Sequence, residues 1–200
     1  MPLESVAEPQ NPVTEASTGQ LVTVDGELLP DDFMVLEKRI NDGDEGYWVI
    51  GHLVTDDGVG LAIALGWAET EQQATDAQAR LEADAPIPAS VTGRYLPSEA
   101  PQQGDFESGE FSAMSTAALV NLWGTVDDAG VYGGYVVAHE PADGLEEIYS
   151  PAPSTEVEVN WLNIFYAAEW VIFAGFAVFL WYRLVKDAWE REEHQRAQVN

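Results

Sequence analysis

The residues able to do chemistry are few and far apart. Three histidines, His52, His139 and His194, are scattered over the chain, and there are no cysteines. No H-E-x-x-H, G-x-S-x-G, Walker-type or dinucleotide glycine pattern occurs, so spacing points to no metal centre and no activated nucleophile. The lack of thiols excludes disulfides, a cysteine nucleophile and thiolate-bound zinc or iron–sulfur centres. His52 falls in a strand-like stretch and by alternation shares a face with Trp48 and Ile50. That reads as a hydrogen-bonded, partly buried histidine rather than a ligand. The expectation is a protein that is not an enzyme, with no catalytic, metal-binding or cofactor-binding residue to nominate. One group stands apart. Glu169 sits inside WLNIFYAAEWVIFAGFAVFLWYRLVKD, Trp161 to Asp187, a run that is otherwise almost wholly apolar.

As a helix, Trp161 to Tyr182 is about 33 Å long, enough for a bilayer core of about 30 Å. Trp161 and Tyr166 mark one end, Trp181 and Tyr182 the other, as interfacial belts do. Apolar residues run all the way round, which separates a membrane span from the one-striped helix of a soluble core. Glu169 lies about 12 Å from Trp161 along the axis. An acid facing lipid at that depth costs about 2.5–3.5 kcal/mol. Asn163, Tyr166, Glu169, Trp170 and Phe173 share one broad face. This predicts that Asn163, Tyr166 and Glu169 bond to a partner helix, with a Glu169 that snorkels to the outer interface as the alternative. Ala168 and Gly175 lie on another face, where a second helix can approach closely.

Flanking charge gives the orientation. Arg183, Lys186, Arg191 and Arg196 follow the span, whereas residues 141–160 contain no Lys or Arg. The positive-inside rule places the C-terminal tail, residues 184–200, in the cytoplasm and the N-terminal part outside a bacterial plasma membrane. Met1 to Gly19 is polar and Pro-containing, without an apolar signal core. Export then calls for a hydrophobic segment upstream in the precursor; a tail-anchored protein facing the cytoplasm is the alternative.

The rest of the chain divides by composition into a flexible acidic arm (1–19), a strand-rich domain (20–140) and an acidic, Pro-bearing linker (141–160). Trp48–Val54 and Val59–Leu65 flank Thr55-Asp-Asp-Gly58, where Asp57-Gly58 supplies the positive φ of a tight hairpin. Thr70 caps a helix that runs to about Glu82, with Gln73 completing a capping box. Ala89–Leu96 and Val131–Ala138 read as strands, and Ser112 or Ser115 as the cap of a short helix through Leu122. Val22-Thr-Val-Asp-Gly-Glu-Leu-Leu-Pro30 echoes Ser90-Val-Thr-Gly-Arg-Tyr-Leu-Pro97, two similarly placed strand–bend elements. The expected class is α+β: a small barrel- or sandwich-like domain with two short helices, plus one C-terminal transmembrane helix. The formal net charge of −27 makes nucleic acid a poor partner. It fits a solvated surface, or a basic extracytoplasmic partner.

Val35 to Trp67, VLEKRINDGDEGYWVIGHLVTDDGVGLAIALGW, resembles the central motif of the surfeit-locus family of cytochrome c oxidase assembly factors. Arg39, Gly46-Tyr47 and Gly66-Trp67 match its Arg, its Gly-Tyr opening a strand and its terminal Gly-Trp. SVTGRYLPSEAP, Ser90 to Pro101, is similar to the family's next strand and acidic-Pro turn. NIFYAAEWVIFA, Asn163 to Ala174, resembles its second membrane helix. The chain departs from the pattern with Ala64-Leu65 where the family usually has Asn-Arg, and in having no first membrane helix ahead of the domain. Some bacterial members are associated with haem a handling through a His near the start of the second membrane helix; here that place holds Asn163, and an amide is not a useful axial ligand. The resemblance, with the packing features of the span, implies an accessory subunit of a respiratory cytochrome oxidase or a bc–oxidase supercomplex. Its partners would be the membrane subunits of that complex and the lipid bilayer. A transient assembly factor assisting haem a insertion is the second reading, and an unrelated single-pass docking protein the third.

Overall fold

Stretches rich in β-branched and aromatic residues form six strands: β1 (Leu21–Leu28), β2 (Met34–Asn41), β3 (Asp44–Thr55), β4 (Gly60–Ala68), β5 (Ile87–Pro97) and β6 (Val131–Ala138). Among the described residues a short 3-10 helix (Leu3–Ser5) and three α-helices accompany them: α1 (Glu71–Asp84), α2 (Thr116–Leu119) and α3 (Trp161–Gln198). The computed structural model describes residues 1–102, 111–124, 126, 128–152 and 161–198, the side chains of α3 as far as Arg191. The chain forms two compact units, Met1–Pro153 and Ser154–Asn200.

In the first unit the sheet order is β1-β5-β6-β4-β3-β2, and β1 also pairs with β3. That extra pairing closes a five-stranded barrel and leaves β2 outside the ring. β3 is long because it serves two partners on one edge. Its first part pairs with β2, from Asn41↔Asp44 to Met34↔Ile50. Its last residues pair with β1, from Leu28↔Leu53 to Gly26↔Thr55. β1 and β2 therefore lie end to end along β3, interrupted at residues 29–33, where Pro30 has no N–H to continue a ladder. The inner face of the ring carries Val22, Val24, Leu53, Leu61, Ile63, Tyr95 and Val136. The outer face carries Trp48, Ile50, Ala62, Ala64 and Tyr135, covered by Met114, Leu119 and Trp123. β4, apolar on both faces, is buried along its whole length.

Local signals place these elements. The β3–β4 hairpin turns at Gly58, φ 79°, whose N–H donates to the Thr55 carbonyl at 2.8 Å. The Thr70–Gln73 capping box opens α1 as expected, though the helix runs to Asp84. Ser115 stands at the N-cap of α2, without a side-chain bond, and the helix ends at Leu119 rather than Leu122. The two echoing segments turn out to be antiparallel neighbours, β1 and β5, centred on Val24↔Val91. Their glycines mark where each strand crosses a second partner. A Cβ on Gly26 would meet the Val54 carbonyl oxygen at 2.3 Å, and one on Gly93 the Val137 oxygen at 2.1 Å.

Two readings need correction. Residues 1–19, expected as a flexible arm, pack on the barrel. Leu3 is fully buried in the inner cluster, Pro2 bridges to Thr23 and Pro9 to Tyr132, and Thr14 and Ser17 exchange hydrogen bonds across a turn. Apart from a single 3-10 turn at Leu3–Ser5 the segment is irregular, and its few apolar residues pack on the barrel's inner cluster. Likewise, residues 141–152 are not a free linker. Leu145 and Ile148 are buried, Trp67 and Glu146 exchange backbone hydrogen bonds, and Arg94 holds the Ser150 and Gly19 carbonyls at 2.6 and 3.0 Å. The remainder of that linker, residues 153–160, lies outside the described residues.

In the second unit α3 is 38 residues long, about 57 Å. Its apolar part is exposed throughout and long enough to cross a membrane. The helix continues through residues 184–198, where the sequence suggests only a tail. Lys186 and Glu190 pair there one turn apart at 3.7 Å.

Candidate functional site

Of the residues singled out by the motif, Arg39, Gly46 and Trp67 meet on the outer face of the barrel. Arg39, from β2, reaches across to Glu99 and Ser112. Its two terminal nitrogens donate to both Glu99 oxygens at 2.8 Å each, and Nη1 also donates to the Ser112 carbonyl at 3.0 Å. The guanidinium lies 3.7 Å over the Trp48 ring, a stacked and bidentate arrangement that lysine cannot reproduce. Trp67 Nε1 donates to the Arg39 carbonyl at 3.1 Å, so the motif's Arg and Trp are bonded directly.

The glycines explain how the indole fits. A Cβ on Gly46 would lie 2.5 Å from Trp67 Cζ2. Gly66 sits at a bulge, since Val49 faces Gly66 but Ile50 faces Ala64. The extra residue, Leu65, stays with the inner cluster, and Trp67 returns to the outer face beside Ala64. A Cβ on Gly66 would meet Leu145 Cβ at 2.6 Å. Tyr47 packs against a third small cluster around Val49, Ala68 and Ala74, beside the knot rather than within it.

Glu99 is the hub. Besides Arg39 it accepts the Met114 N–H at 2.9 Å and the Tyr135 hydroxyl at 3.2 Å. Burial alone would push its carboxyl up; the Arg39 guanidinium, the Met114 N–H and the Tyr135 hydroxyl overcome this and hold it below the ordinary range. The Tyr135 phenol is pushed up, by burial first and then by the Glu99 charge. A depressed folded pKa means the contribution is complete above the unfolded value, about 4.3, and disappears as pH falls through the folded one. The stability advantage of the wild type over Glu99→Gln, read from denaturant midpoints, should therefore shrink between pH 7 and pH 3. A constant difference would contradict the network.

His52 belongs to a second buried group on the same face. Its Nδ1 lies 2.8 Å from Asp32 Oδ2, the ring stacks on Trp123 at 3.8 Å, and Asp32 Oδ1 accepts the Gly124 N–H at 2.8 Å. The pairing holds the Nδ1–H tautomer. The His52 and Asp32 side chains are 1% and 2% exposed, so the pair ties residues 29–33 to the covering segment and is closed to a substrate. Among the described residues no cluster of three or more His, Asp or Glu side chains is placed to hold a metal ion.

Within α3, helical geometry puts Asn163, Tyr166, Glu169, Trp170 and Phe173 on one side. Trp170 and Phe173 meet edge to face at 6.4 Å. Ala168 and Gly175 lie on another side, and a Cβ on Gly175 would meet nothing within 4 Å. All of these residues are exposed.

Sequence reasoning missed Glu99 as the partner of Arg39 and Asp32 as the partner of His52. Sixty residues separate the first pair, and in so acidic a chain no spacing marks one acid among many. It also passed over the β2–β3 turn, although Asp42-Gly43 is a strong hairpin signal; both have positive φ, 49° and 100°.

Among curated proteins no match to the chain was found. A family model described as the SURF1 family matches residues 1–175, that is, the whole barrel domain and the first part of α3. This family is associated with cytochrome oxidase assembly and with membranes. The order of the motif residues, their convergence on one knot and the match over most of the chain lead to one conclusion: the chain belongs to the SURF1 family.

Proposed function

We propose that the protein is a non-catalytic, membrane-anchored accessory subunit of a respiratory cytochrome oxidase, or of a bc–oxidase supercomplex, which it stabilises or helps to assemble. The observation that carries this reading is α3. Its apolar part has no covering among the described residues of its own unit, and Asn163, Tyr166 and Glu169 share one side of it, at a depth that would fall within a bilayer. Intramembrane acids are costly when they face lipid and are found turned toward protein. The Ala168/Gly175 side offers a second helix a close approach. The barrel domain would lie outside the plasma membrane and the basic end of α3 in the cytoplasm, as the flanking charges indicate.

A transient assembly factor is the second reading, favoured by the family's association with assembly. The amide at Asn163 weighs against a haem-carrying form of it, since imidazole is the usual axial nitrogen ligand. Quantifying the chain in gently purified oxidase complex separates the two. An accessory subunit should be near stoichiometric with the core subunits of mature complex. Traces confined to immature oxidase would overturn the accessory reading in favour of the transient one.

A further inference from the structure

At one end of the barrel a cavity of about 300 Å³ is lined by Glu4, Asp25, Asp56, Asp57, Thr55 and Tyr132 among others. Three separate chain segments bring the four acids there: the N-terminal turn, β1 and the β3–β4 hairpin. None of the four takes part in an ion pair within the described residues. In so acidic a protein this alone would mean little. The distinguishing feature is Tyr132. It is only 5% exposed, it lines this cavity, and its hydroxyl makes no hydrogen bond with any described residue. Burial, together with the charges of Glu4 and Asp57, holds the phenol above its ordinary pKa, so the acids act on it directly. The ring is buried, but the hydroxyl is not among the sealed-off polar atoms: it opens onto the cavity, where a ligand group can bond to it.

We infer that this cavity binds one basic side chain, arginine or lysine, of a partner protein. The carboxylates would neutralise the cation and accept its N–H groups. The Tyr132 hydroxyl would accept a further one, and Pro2 and Val24 would flank the aliphatic stem. A compact metal ion fits less well, because these acids are not grouped closely enough to coordinate one. The inference goes beyond the proposed membrane docking and does not depend on α3.

The test uses the full chain in lipid nanodiscs with ¹³C-ring-labelled tyrosine, the Tyr132 signal being assigned with Tyr132→Phe. The probes are N-acetyl-argininamide and calcium chloride at matched ionic strength. N-acetyl-argininamide should shift the Tyr132 signal saturably and bind more tightly than calcium. Its affinity should fall about tenfold or more in Asp25→Asn/Asp57→Asn. It should be unchanged in Glu15→Gln/Glu140→Gln, which removes the same charge from positions outside the cavity. Both double variants change exposed side chains and leave the barrel intact. No saturable shift, tighter binding of calcium, or equal losses in the two double variants would each overturn the inference.

Discussion

Arg39→Met is expected to destabilise the barrel domain by roughly 3 kcal/mol, the low end of the range for removing one partner of a buried ion pair. The low end applies because the Glu99 side chain keeps 32% of its exposure. Methionine retains much of the stem that packs beside Trp48, so most of the loss is the charge left behind. Glu99 would keep its Met114 and Tyr135 bonds but lose both bonds from the guanidinium. For a domain of this size the melting temperature of the full chain should fall by about 6–12 °C. Adding Glu99→Gln should recover part of the loss, because a neutral amide tolerates the missing cation. A loss below about 1 kcal/mol, or a double variant no more stable than Arg39→Met, would mean the knot is not the domain's electrostatic anchor.

Glu169→Leu should loosen association with the oxidase while leaving the barrel domain folded. A polar contact between membrane helices is worth about 0.6–2 kcal/mol, or roughly 3- to 30-fold in association. Leucine inserts into a bilayer more readily than glutamate, so poorer anchoring cannot be the cause of a loss. Val178→Leu, on the opposite side of α3 from Glu169, serves as the control. Co-purification in gentle detergent should drop for Glu169→Leu and stay at the wild-type level for Val178→Leu. Equal recovery of both variants would leave Glu169 as a residue that merely reaches for the outer interface.

What the sequence revealed followed the range of its signals. The β3–β4 hairpin, the α1 capping box, β5 and β6 rest on neighbours within a few residues, and all appear where local patterns put them. The α+β class and the strand-rich domain follow from those elements. Barrel closure was not legible in detail, because it depends on β1 meeting β3 at Gly26↔Thr55, and a lone Gly in a strand does not name its partner. The docking of residues 1–19 escaped for a related reason. Leu3, Val6 and Val13 are scattered apolar residues in a polar stretch without a regular period, and only the barrel they pack on makes them core. The motif residues Arg39, Gly46, Gly66 and Trp67 were recognisable by type and order. Their common purpose was not, since Glu99 and the β4 bulge that bring them together leave no periodic trace. The α3 side chains were legible as faces of one helix, which is a matter of geometry alone.

The account rests on α3 carrying the acidic barrel domain on the outer side of the membrane. The most direct measurement is protease protection in intact cells stripped of their wall, with fragments followed by antibodies to each end of the chain. The account predicts that external protease removes the barrel domain while a fragment containing α3 and the C-terminal end survives. Protection of the barrel domain until the membrane is opened would place it in the cytoplasm and contradict the proposed topology.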